Sequence, residues 1–173
     1  MQRTPSGRIF ALPIRTGDGE FIARYSTAGL CELRFPNSTN SPGTVRTEDL
    51  PEQIGKWHAL TAQALALALQ GKIPGRLPPL DLSAGTDFQQ RVWTAMQTIA
   101  SGSTRSYGEL ATAIGQPKAV RAVGGACGAN PIPVFVPCHR VLAANRKIGG
   151  FSAGLDWKWK LLAREGVAEV RRR

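Results

Sequence analysis

The chain has 173 residues, 42% of them hydrophobic and 20% charged, and its 19 glycines and 12 prolines follow no repeat. This length is enough to bury a core, and the composition excludes a mini-protein, a fibre, a collagen-like chain and a disordered chain. The formal net charge is +10 and is uneven, since residues 1–85 hold nine basic and seven acidic side chains whereas residues 86–173 hold thirteen and five. A positive surface attracts polyanions, so the charge favours nucleic acid as the partner, ahead of an anionic membrane. On charge alone, the alternative is a soluble basic protein that binds no polyanion.

The chain begins with three short apolar runs separated by turn residues. Residues 9–14 and 21–25 flank the turn sequence Thr16-Gly17-Asp18-Gly19, and residues 30–35 follow Gly29. Apolar runs bounded by glycine and aspartate are typical of strands joined by tight turns. They predict an antiparallel hairpin with a third strand.

A loop, a helix and a linker follow. Residues 37–43 (NSTNSPG) have the composition of a loop, and residues 50–70 carry apolar side chains at helical spacing up to Gly71, which is expected to end the helix. Residues 71–85 are dense in proline and glycine and lie where the charge balance changes. We therefore expect an N-terminal domain over residues 1–80, with residues 71–85 as the linker to a second domain.

The second half of the chain opens with a capping box, Thr86-Asp87-Phe88-Gln89, followed by apolar residues at helical spacing. This pattern predicts a buried helix of about four turns. Ser106-Tyr107-Gly108-Glu109 is a second capping box and opens a short helix that Gly115 ends, and another helix starts after Pro117. Two short helices joined by a turn of about four residues form the helix-turn-helix pattern, whose second helix ordinarily meets DNA.

The helix after Pro117 has two different faces. One face holds Val120, Val123 and Cys127 and is expected to pack. The opposite face holds Arg121, Gly124, Gly125 and Gly128 and is bare except for the arginine. A glycine inside a helix costs about 1 kcal/mol relative to alanine, so two adjacent glycines indicate that another backbone approaches this face closely. Tight packing against a neighbouring helix is the alternative.

The cysteines and histidines do not form the pattern of a metal site. Cys31, Cys127 and Cys138 are widely spaced and lack a Cys-x-x-Cys pair, and the only histidines are His58 and His139. These spacings argue against a disulfide framework and a zinc ribbon. We expect no metal and at least one free thiol.

The sequence shows no targeting or membrane segment. Residues 1–10 (MQRTPSGRIF) carry charge but lack the apolar core of a secretory signal, and no stretch approaches the ~18 apolar residues of a membrane span. The sequence therefore predicts an intracellular protein, cytoplasmic if bacterial and nuclear if eukaryotic.

Residues 130–137 (NPIPVFVP) are apolar and rich in proline, which predicts a short extended segment that ends at Cys138. A cysteine reacts as its thiolate, and a neighbouring base or cationic group favours that form. His139 and Arg140 come next in the chain. Because adjacent side chains of a strand point to opposite faces, His139 would assist Cys138 only if the chain turns there or a water links the two groups. A buried cysteine beside a surface histidine is the commoner outcome for such a pair.

Several strings in the second half resemble one family, the O6-alkylguanine-DNA alkyltransferases, also called methylated-DNA–protein-cysteine methyltransferases. The resemblance covers residues 86–166 in the family's order and spacing, and its strings are Ser106-Tyr107-Gly108-Glu109-Leu110-Ala111, Arg121-Ala122-Val123-Gly124-Gly125-Ala126, Asn130-Pro131, Pro137-Cys138-His139-Arg140-Val141, Gly154-Leu155 with Lys158, and Leu161-Leu162 ahead of Glu165-Gly166. The Pro-Cys-His-Arg-Val string with the upstream Arg-Ala-Val-Gly-Gly-Ala is highly specific. Residues 1–80 are similar only in broad organisation.

The resemblance implies an α+β fold, with a small N-terminal α/β domain that contains an antiparallel sheet. A mostly helical domain over residues 86–173 would then carry the helix-turn-helix and the reactive cysteine. The implied function is DNA repair: O6-alkylguanine is flipped out of duplex DNA and its alkyl group moves irreversibly to Cys138, with O4-alkylthymine as a further candidate substrate. Double-stranded DNA is the expected partner. Neither a cofactor nor an obligate protein partner is expected, and the protein would act once per molecule, as a monomer.

The resemblance also implies roles for individual residues around the cysteine. Cys138 would be the nucleophile, His139 would take its proton through a water, and Glu165 would orient His139. Asn130 would hold the turn ahead of the nucleophile, and Tyr107 would donate a proton or a hydrogen bond to the leaving guanine.

Further residues would hold the base and the DNA. The expected base pocket includes Val141, Phe151 and Ser152, and the expected DNA-binding residues are Tyr107, Gln116, Arg121, Gly124 and Gly125. Among these, Arg121 would fill the space that the flipped nucleotide leaves. Phe151 and Ala153 stand where many relatives carry Tyr and Gly, so the range of alkyl groups stays open.

Three other functions compete with this interpretation. A non-catalytic sensor of O6-alkylguanine would lack the cysteine, yet Cys138 is present. A helix-turn-helix regulator reads bases in the major groove with side chains, and a glycine-faced helix offers few of them. A Cys-His hydrolase would need groups that stabilise an oxyanion, and the sequence displays no such arrangement.

Overall fold

The computed structural model describes residues 8–36, 50–168 and 170–171. The strands are β1 (Phe10–Thr16), β2 (Gly19–Tyr25), β3 (Leu30–Arg34), β4 (Arg105–Ser106) and β5 (Val141–Leu142). The helices are α1 (Glu52–Ala68), α2 (Asp87–Gln97), α3 (Tyr107–Ala113), α4 (Val120–Gly128) and α5 (Leu155–Arg164). This mixture of helices with a small antiparallel sheet agrees with the expected α+β class. The predicted loop at residues 37–43 lies outside the described residues.

The first three strands form the antiparallel sheet that the apolar runs predict. β1 pairs with β2, and β2 pairs with β3. Side chains of β1 alternate between buried and more exposed positions, so one face of the sheet packs on the core. The hairpin turn between β1 and β2 contains Asp18, which contacts α5.

Capping boxes begin α2 and α3, as predicted. The Thr86 hydroxyl accepts a hydrogen bond from the backbone N–H of Gln89, and Ser106 accepts the equivalent bond from Glu109. α2 is shorter than predicted, since its 11 residues make about three turns. Ile99 is nevertheless buried, because it reaches the core from the turn after the helix and not from a fourth helical turn.

α3 and α4 are joined by a turn over residues 114–119, and both pack against α2. Trp93 of α2 fixes α4, because its indole N–H donates to the carbonyl of Ala126 over 2.8 Å. The buried residues of α4 are Val123, Ala126 and Cys127. Val120 is 40% exposed, so the prediction that it packs is wrong. It is the first residue of the helix, and side chains lean toward the helix N-terminus, which carries this one past the packed face.

Residues 130–137 are not extended, contrary to the prediction. The backbone N–H of Val136 donates to the carbonyl of Ile132 over 2.9 Å, and Val134 has a φ of 77°, so the segment is a compact turn. Prolines hold φ near −65°, a value that suits turns as well as strands. Residues Cys138–Arg140 then form a single 3-10 turn. The chain thus turns at the cysteine, which is one of the two conditions for assistance by His139.

A short parallel pairing joins β4 to β5. Arg105 lies opposite Val141, and Ser106 lies opposite Leu142. The pairing places the first turn of α3, with Tyr107, beside the segment that follows the cysteine. Strands of two residues leave no periodic pattern in a sequence, so this contact was not predicted.

Hydrophobic side chains from both halves of the chain form one continuous cluster. The ring centroid of Trp157 lies 5.6 Å from that of Phe21 and 4.7 Å from that of Phe35. The ring centroids of Phe35 and Phe151 are 5.8 Å apart. The sheet therefore supports α5 and the segment before it. The division into two domains with a linker stays a prediction. In the described part of the chain, no helix combines the length and the apolar character of a membrane span.

Gly29→Ala tests how closely the sheet approaches the segment before α2. Gly29 has a φ of 151°, and a Cβ there would lie 2.2 Å from the carbonyl oxygen of Pro79. The strain and the clash should together lower the free energy of unfolding by at least about 2 kcal/mol. Gly17→Ala is the control, because a Cβ at Gly17 meets nothing within 4 Å, and its effect should stay within about 0.5 kcal/mol. Urea denaturation measures both, and equal stabilities would contradict the close approach.

Candidate active site

Cys138 is buried at the start of the 3-10 turn, with 5% of its surface exposed. Burial raises the pKa of its thiol, although a hydrogen bond from Asn130 and the charge of Lys158 act in the opposite direction. The thiol is therefore protonated at neutral pH. A reaction at this sulfur needs a group that takes the proton.

The Asn130 side chain connects the turn to the sulfur. Its amide nitrogen donates to the carbonyl of Val136 over 2.7 Å and to Cys138 Sγ over 3.1 Å. Its amide oxygen accepts a hydrogen bond from the backbone N–H of Ile132. One buried side chain thus closes the turn and offers a donor to the sulfur, where it would stabilise negative charge.

His139 and Glu165 form a buried pair. His139 is 1% exposed, and its Nε2 lies 2.9 Å from Oε1 of Glu165, the residue that follows the last turn of α5. Burial lowers the pKa of His139, and the hydrogen bond with Glu165 opposes this effect only in part. The imidazole is therefore neutral at neutral pH.

Arg140 also binds the carboxylate of Glu165. Its guanidinium donates through Nε over 3.0 Å and through Nη2 over 2.8 Å, and it also donates to the carbonyl of Ile99. Burial by itself would raise the pKa of Glu165, but the hydrogen bonds from His139 and Arg140 lower it to about 2. Glu165 is therefore ionised at neutral pH. The sequence does not predict that Arg140 binds Glu165. The only feature that could have suggested it is the position of Arg140 next to His139 in the chain.

The ionised carboxylate determines the tautomer of His139. A carboxylate only accepts hydrogen bonds, so Nε2 must carry the proton that points to Glu165. Nδ1 then has a free lone pair, and it is buried without a hydrogen-bond partner among the described residues. An imidazole held at one nitrogen and free at the other is suited to accept a proton.

Lys158 is a fully buried cation to which the sequence pattern assigns no role. Its Nζ donates to the carbonyls of Val141 over 2.7 Å and Gly150 over 3.1 Å. Burial lowers the pKa of Lys158 to about 8, although the thiols of Cys138 and Cys127 act to raise it. The lysine thus joins the strand after the nucleophile to the loop before α5. The position of Lys158 on the packed face of α5 could have indicated this role, because lysines are almost never fully buried without a partner.

A cavity of about 230 Å³ lies against Cys138. Its lining residues are Tyr107, Gly124, Cys127, Gly128, Cys138, Gly150, Phe151 and Ser152. The structure therefore brings Tyr107, Phe151 and Ser152 together with the nucleophile. Val141 does not line the cavity, because its side chain is buried in the hydrophobic cluster beside β5. Burial raises the pKa of Tyr107, so its phenol keeps the proton at neutral pH.

The bare face of α4 leads to the cavity. Gly124 and Gly128 line the cavity, and Arg121 is exposed one turn before Gly124 on the same face. A Cβ at Gly124, Gly125 or Gly128 would meet nothing within 4 Å. Packing against a neighbouring helix among the described residues therefore does not explain these glycines. Gln116 is half-buried in the turn before α4.

The other two cysteines are buried as well. Burial raises the pKa of Cys31 to about 11 and that of Cys127 to about 12. Cys127 lines the cavity, and its thiol lies 3.5 Å from the sulfur of Met96. Across the residues that the structure describes, no group of three or more His, Cys, Asp or Glu side chains could hold a metal ion.

Comparison with known proteins finds relatives that match most of this chain. Residues 87–167 match the family model described as 6-O-methylguanine DNA methyltransferase, DNA binding domain. A methylated-DNA–protein-cysteine methyltransferase of Mycolicibacterium paratuberculosis is 44% identical over 136 residues, which are 79% of each chain. The protein of the same name from Mycobacterium leprae is 55% identical over 147 residues, 85% of this chain and 86% of that one. The crystal structure of Mycobacterium tuberculosis OGT in complex with DNA superposes with a TM-score of 0.73 at 40% identity, over 88% of this chain and 90% of that one.

Glu165→Gln tests the buried carboxylate. The change leaves the guanidinium of Arg140, whose side chain is 12% exposed, without its opposite charge, and breaking such a buried pair costs about 3 kcal/mol or more. Glu32→Gln is the matched control, because Glu32 also pairs with arginine, here Arg24 and Arg34, but at a more exposed site. Its loss should stay below about 1 kcal/mol. Urea denaturation at pH 7 compares the two variants, and similar losses would show that burial of the Glu165 pair has little energetic consequence.

Proposed function

Because the chain belongs to the methylated-DNA–protein-cysteine methyltransferase family, we propose that it is a DNA repair protein that transfers the alkyl group of O6-alkylguanine in duplex DNA irreversibly to Cys138. The observation that carries this proposal is the position of the Cys138 thiol on the wall of a cavity, next in the chain to a histidine held by a buried glutamate. A nucleophile, a base and a space for the substrate are the parts that alkyl transfer to sulfur needs.

The first step generates the thiolate. Nδ1 of His139 accepts the proton of Cys138 through a water, and Glu165 stabilises the imidazolium that forms. The base is needed because burial raises the pKa of the thiol. Asn130 and Lys158 stabilise the negative charge on the sulfur, the first by a hydrogen bond and the second by its own charge.

The thiolate then displaces guanine from the alkyl group. The sulfur attacks the alkyl carbon in line with its bond to O6, so that the S–C bond forms while the C–O6 bond breaks and its electron pair goes to guanine. Tyr107 lines the cavity and keeps its proton at neutral pH, so it donates a proton or a hydrogen bond to the leaving guanine. The thioether product has no good leaving group, which makes the transfer irreversible and limits each molecule to one turnover.

The damaged base has to leave the stack of the DNA duplex before the sulfur can reach it. The O6 atom of a stacked guanine cannot enter a buried cavity, and flipping the nucleotide out costs a few kcal/mol. α3 and α4 act as the helix-turn-helix, and the bare face of α4 allows the DNA backbone to come close. Arg121 fills the space of the flipped nucleotide, and Tyr107 and Gln116 contact the DNA. The relative solved in complex with DNA supports this partner.

The base pocket is completed by Phe151 and Ser152 from the loop before α5. O4-alkylthymine as a further substrate, a monomeric state and a cytoplasmic location stay predictions.

Cys138→Ser tests the assignment of the nucleophile. The variant should show no gain of a methyl group after incubation with a duplex containing O6-methylguanine, because a neutral hydroxyl is a poor nucleophile. Its affinity for the alkylated duplex should stay near that of the wild type, since the binding surface is unchanged. Intact-mass spectrometry measures the transfer. Cys31→Ser is the control, because Cys31 does not line the cavity beside Cys138, and it should gain one methyl group. Cys127→Ser should gain one as well, and failure of either folded variant would mean that the wrong thiol was chosen or that a partner of Cys138 was missed.

Arg121→Ala separates base flipping from simple phosphate binding. If Arg121 fills the gap in the duplex, the variant should lose transfer from duplex DNA far more than transfer from free O6-alkylguanine, because only the duplex requires flipping. Arg121→Lys should lie between the alanine variant and the wild type, since lysine fills part of the gap but lacks the planar guanidinium. The second-order rate of transfer to each substrate decides the matter. Equal losses on both substrates would mean that Arg121 supports the pocket or the fold.

A further inference from the structure

The hairpin between β1 and β2 is bound to α5 by an ion pair of defined geometry. The carboxylate of Asp18 accepts hydrogen bonds from both terminal nitrogens of Arg164, and it also lies 2.7 Å from Nζ of Lys160. Only 13% of the Asp18 side chain is exposed. Two parallel hydrogen bonds from a guanidinium fix the orientation of a carboxylate as well as its distance.

A second contact from the N-terminal half reaches the same point of α5. Gly71, just beyond the end of α1, has a φ of 74°, and a Cβ there would lie 1.9 Å from the carbonyl oxygen of Arg164. That carbonyl belongs to the peptide bond between Arg164 and Glu165. The N-terminal half therefore binds the side chain of Arg164 through Asp18 and approaches its main chain closely at Gly71.

We propose that Asp18 is a positioning residue of the active site, which holds the end of α5 through Arg164 so that the Glu165 carboxylate meets His139. The inference rests on the proposed function of His139 as the base. Asp18 lines no part of the cavity, so it acts only through the residues it holds. It gives the N-terminal hairpin a part in the reaction.

The position of Glu165 makes such support necessary. Glu165 is the capping residue after the last turn of α5, and helix ends move more readily than helix centres. His139 and Arg140 approach its carboxylate from the 3-10 turn, and the backbone N–H of Gly102 donates to Oε2 over 3.5 Å from the turn after α2. All three contacts are made to the side chain of Glu165 and not to the main chain of the helix end. The contacts of Arg164 with the N-terminal half tie the helix end to the rest of the molecule.

Proton NMR of the imidazole groups tests the proposal without any substrate. The chain has two histidines, and His58, which pairs with Tyr25, is an internal reference. In Asp18→Asn, the low-field signal of the proton between His139 Nε2 and Glu165 should shift upfield or disappear through exchange, while the His58 signals stay in place. An unchanged His139 signal in the folded variant would overturn the proposal.

Two further variants complete this measurement. Glu20→Gln is the matched control, because Glu20 lies in the same hairpin but pairs with Arg15 at the surface, with 48% of its side chain exposed, and the His139 signal should not change. Arg164→Lys keeps the positive charge but loses the paired hydrogen bonds, so it should shift the signal in the same direction by less. It decides the question if Asp18→Asn does not fold, and an unchanged signal there would count against the proposal.

Transfer rates provide the test of function. Asp18→Asn should slow transfer from an O6-methylguanine duplex and from the free base by the same factor, about tenfold or more. In a Glu165→Gln background the same change should alter the rate by less than about twofold, because both residues act on one step. Losses that multiply in the double variant would show a general effect on the fold and overturn the proposal. Absence of transfer by the wild type would instead refute the proposed function, while the NMR comparison would still decide whether Asp18 positions Glu165.

Discussion

A carboxylate that stays ionised inside the protein is the constraint on which the site depends. The Glu165 side chain is 7% exposed, and an isolated charge at such a position would be costly enough to force its neutralisation. Arg140 supplies the opposite charge, so the carboxylate remains an acceptor and His139 must present the Nε2 proton to it. The lone pair of Nδ1 is thereby directed away from Glu165. The tautomer of His139 is thus a consequence of one buried ion pair.

Cys138, the proposed nucleophile, is buried as well but stays protonated. All three cysteines are buried and free, and burial raises the pKa of each thiol. Cys138 differs from Cys31 and Cys127 because Asn130 donates to its sulfur and His139 follows it in the chain. A thiol that stays protonated until a base removes its proton is protected from unwanted reactions, since the thiolate is the reactive form. Selectivity among the cysteines therefore comes from their neighbours and not from their exposure.

The same helix serves the core and the cavity. Trp93 holds α4 through the Ala126 carbonyl, and the buried side chains of α4 lie on that side of the helix. The remaining face carries glycines next to the cavity that holds the nucleophile. Helical geometry separates the two faces, so a rigid core contact and an open surface coexist on nine residues. The loop before α5 closes the other wall, and Phe35 of the N-terminal half packs on its Phe151.

Features that depend on neighbours in the chain could be predicted from the amino-acid sequence. The hairpin and both capping boxes appear as predicted, because turn residues and cap side chains bind backbone groups within a few residues of themselves. The Pro-Cys-His-Arg-Val string indicated Cys138 as the nucleophile and His139 as its base through a family resemblance, and these two roles are part of the proposed function.

Other features depend on contacts between segments that lie far apart in the chain. Residues 130–137 could be extended or turned, and the side chain of Asn130 settles this by bonding to backbone groups across the turn. The contact of Arg140 with Glu165 spans 25 residues, and that of Asp18 with Arg164 spans 146. Charged residues at such separations carry no local pattern, because their partners are chosen by how the helices and the sheet pack and not by spacing along the chain.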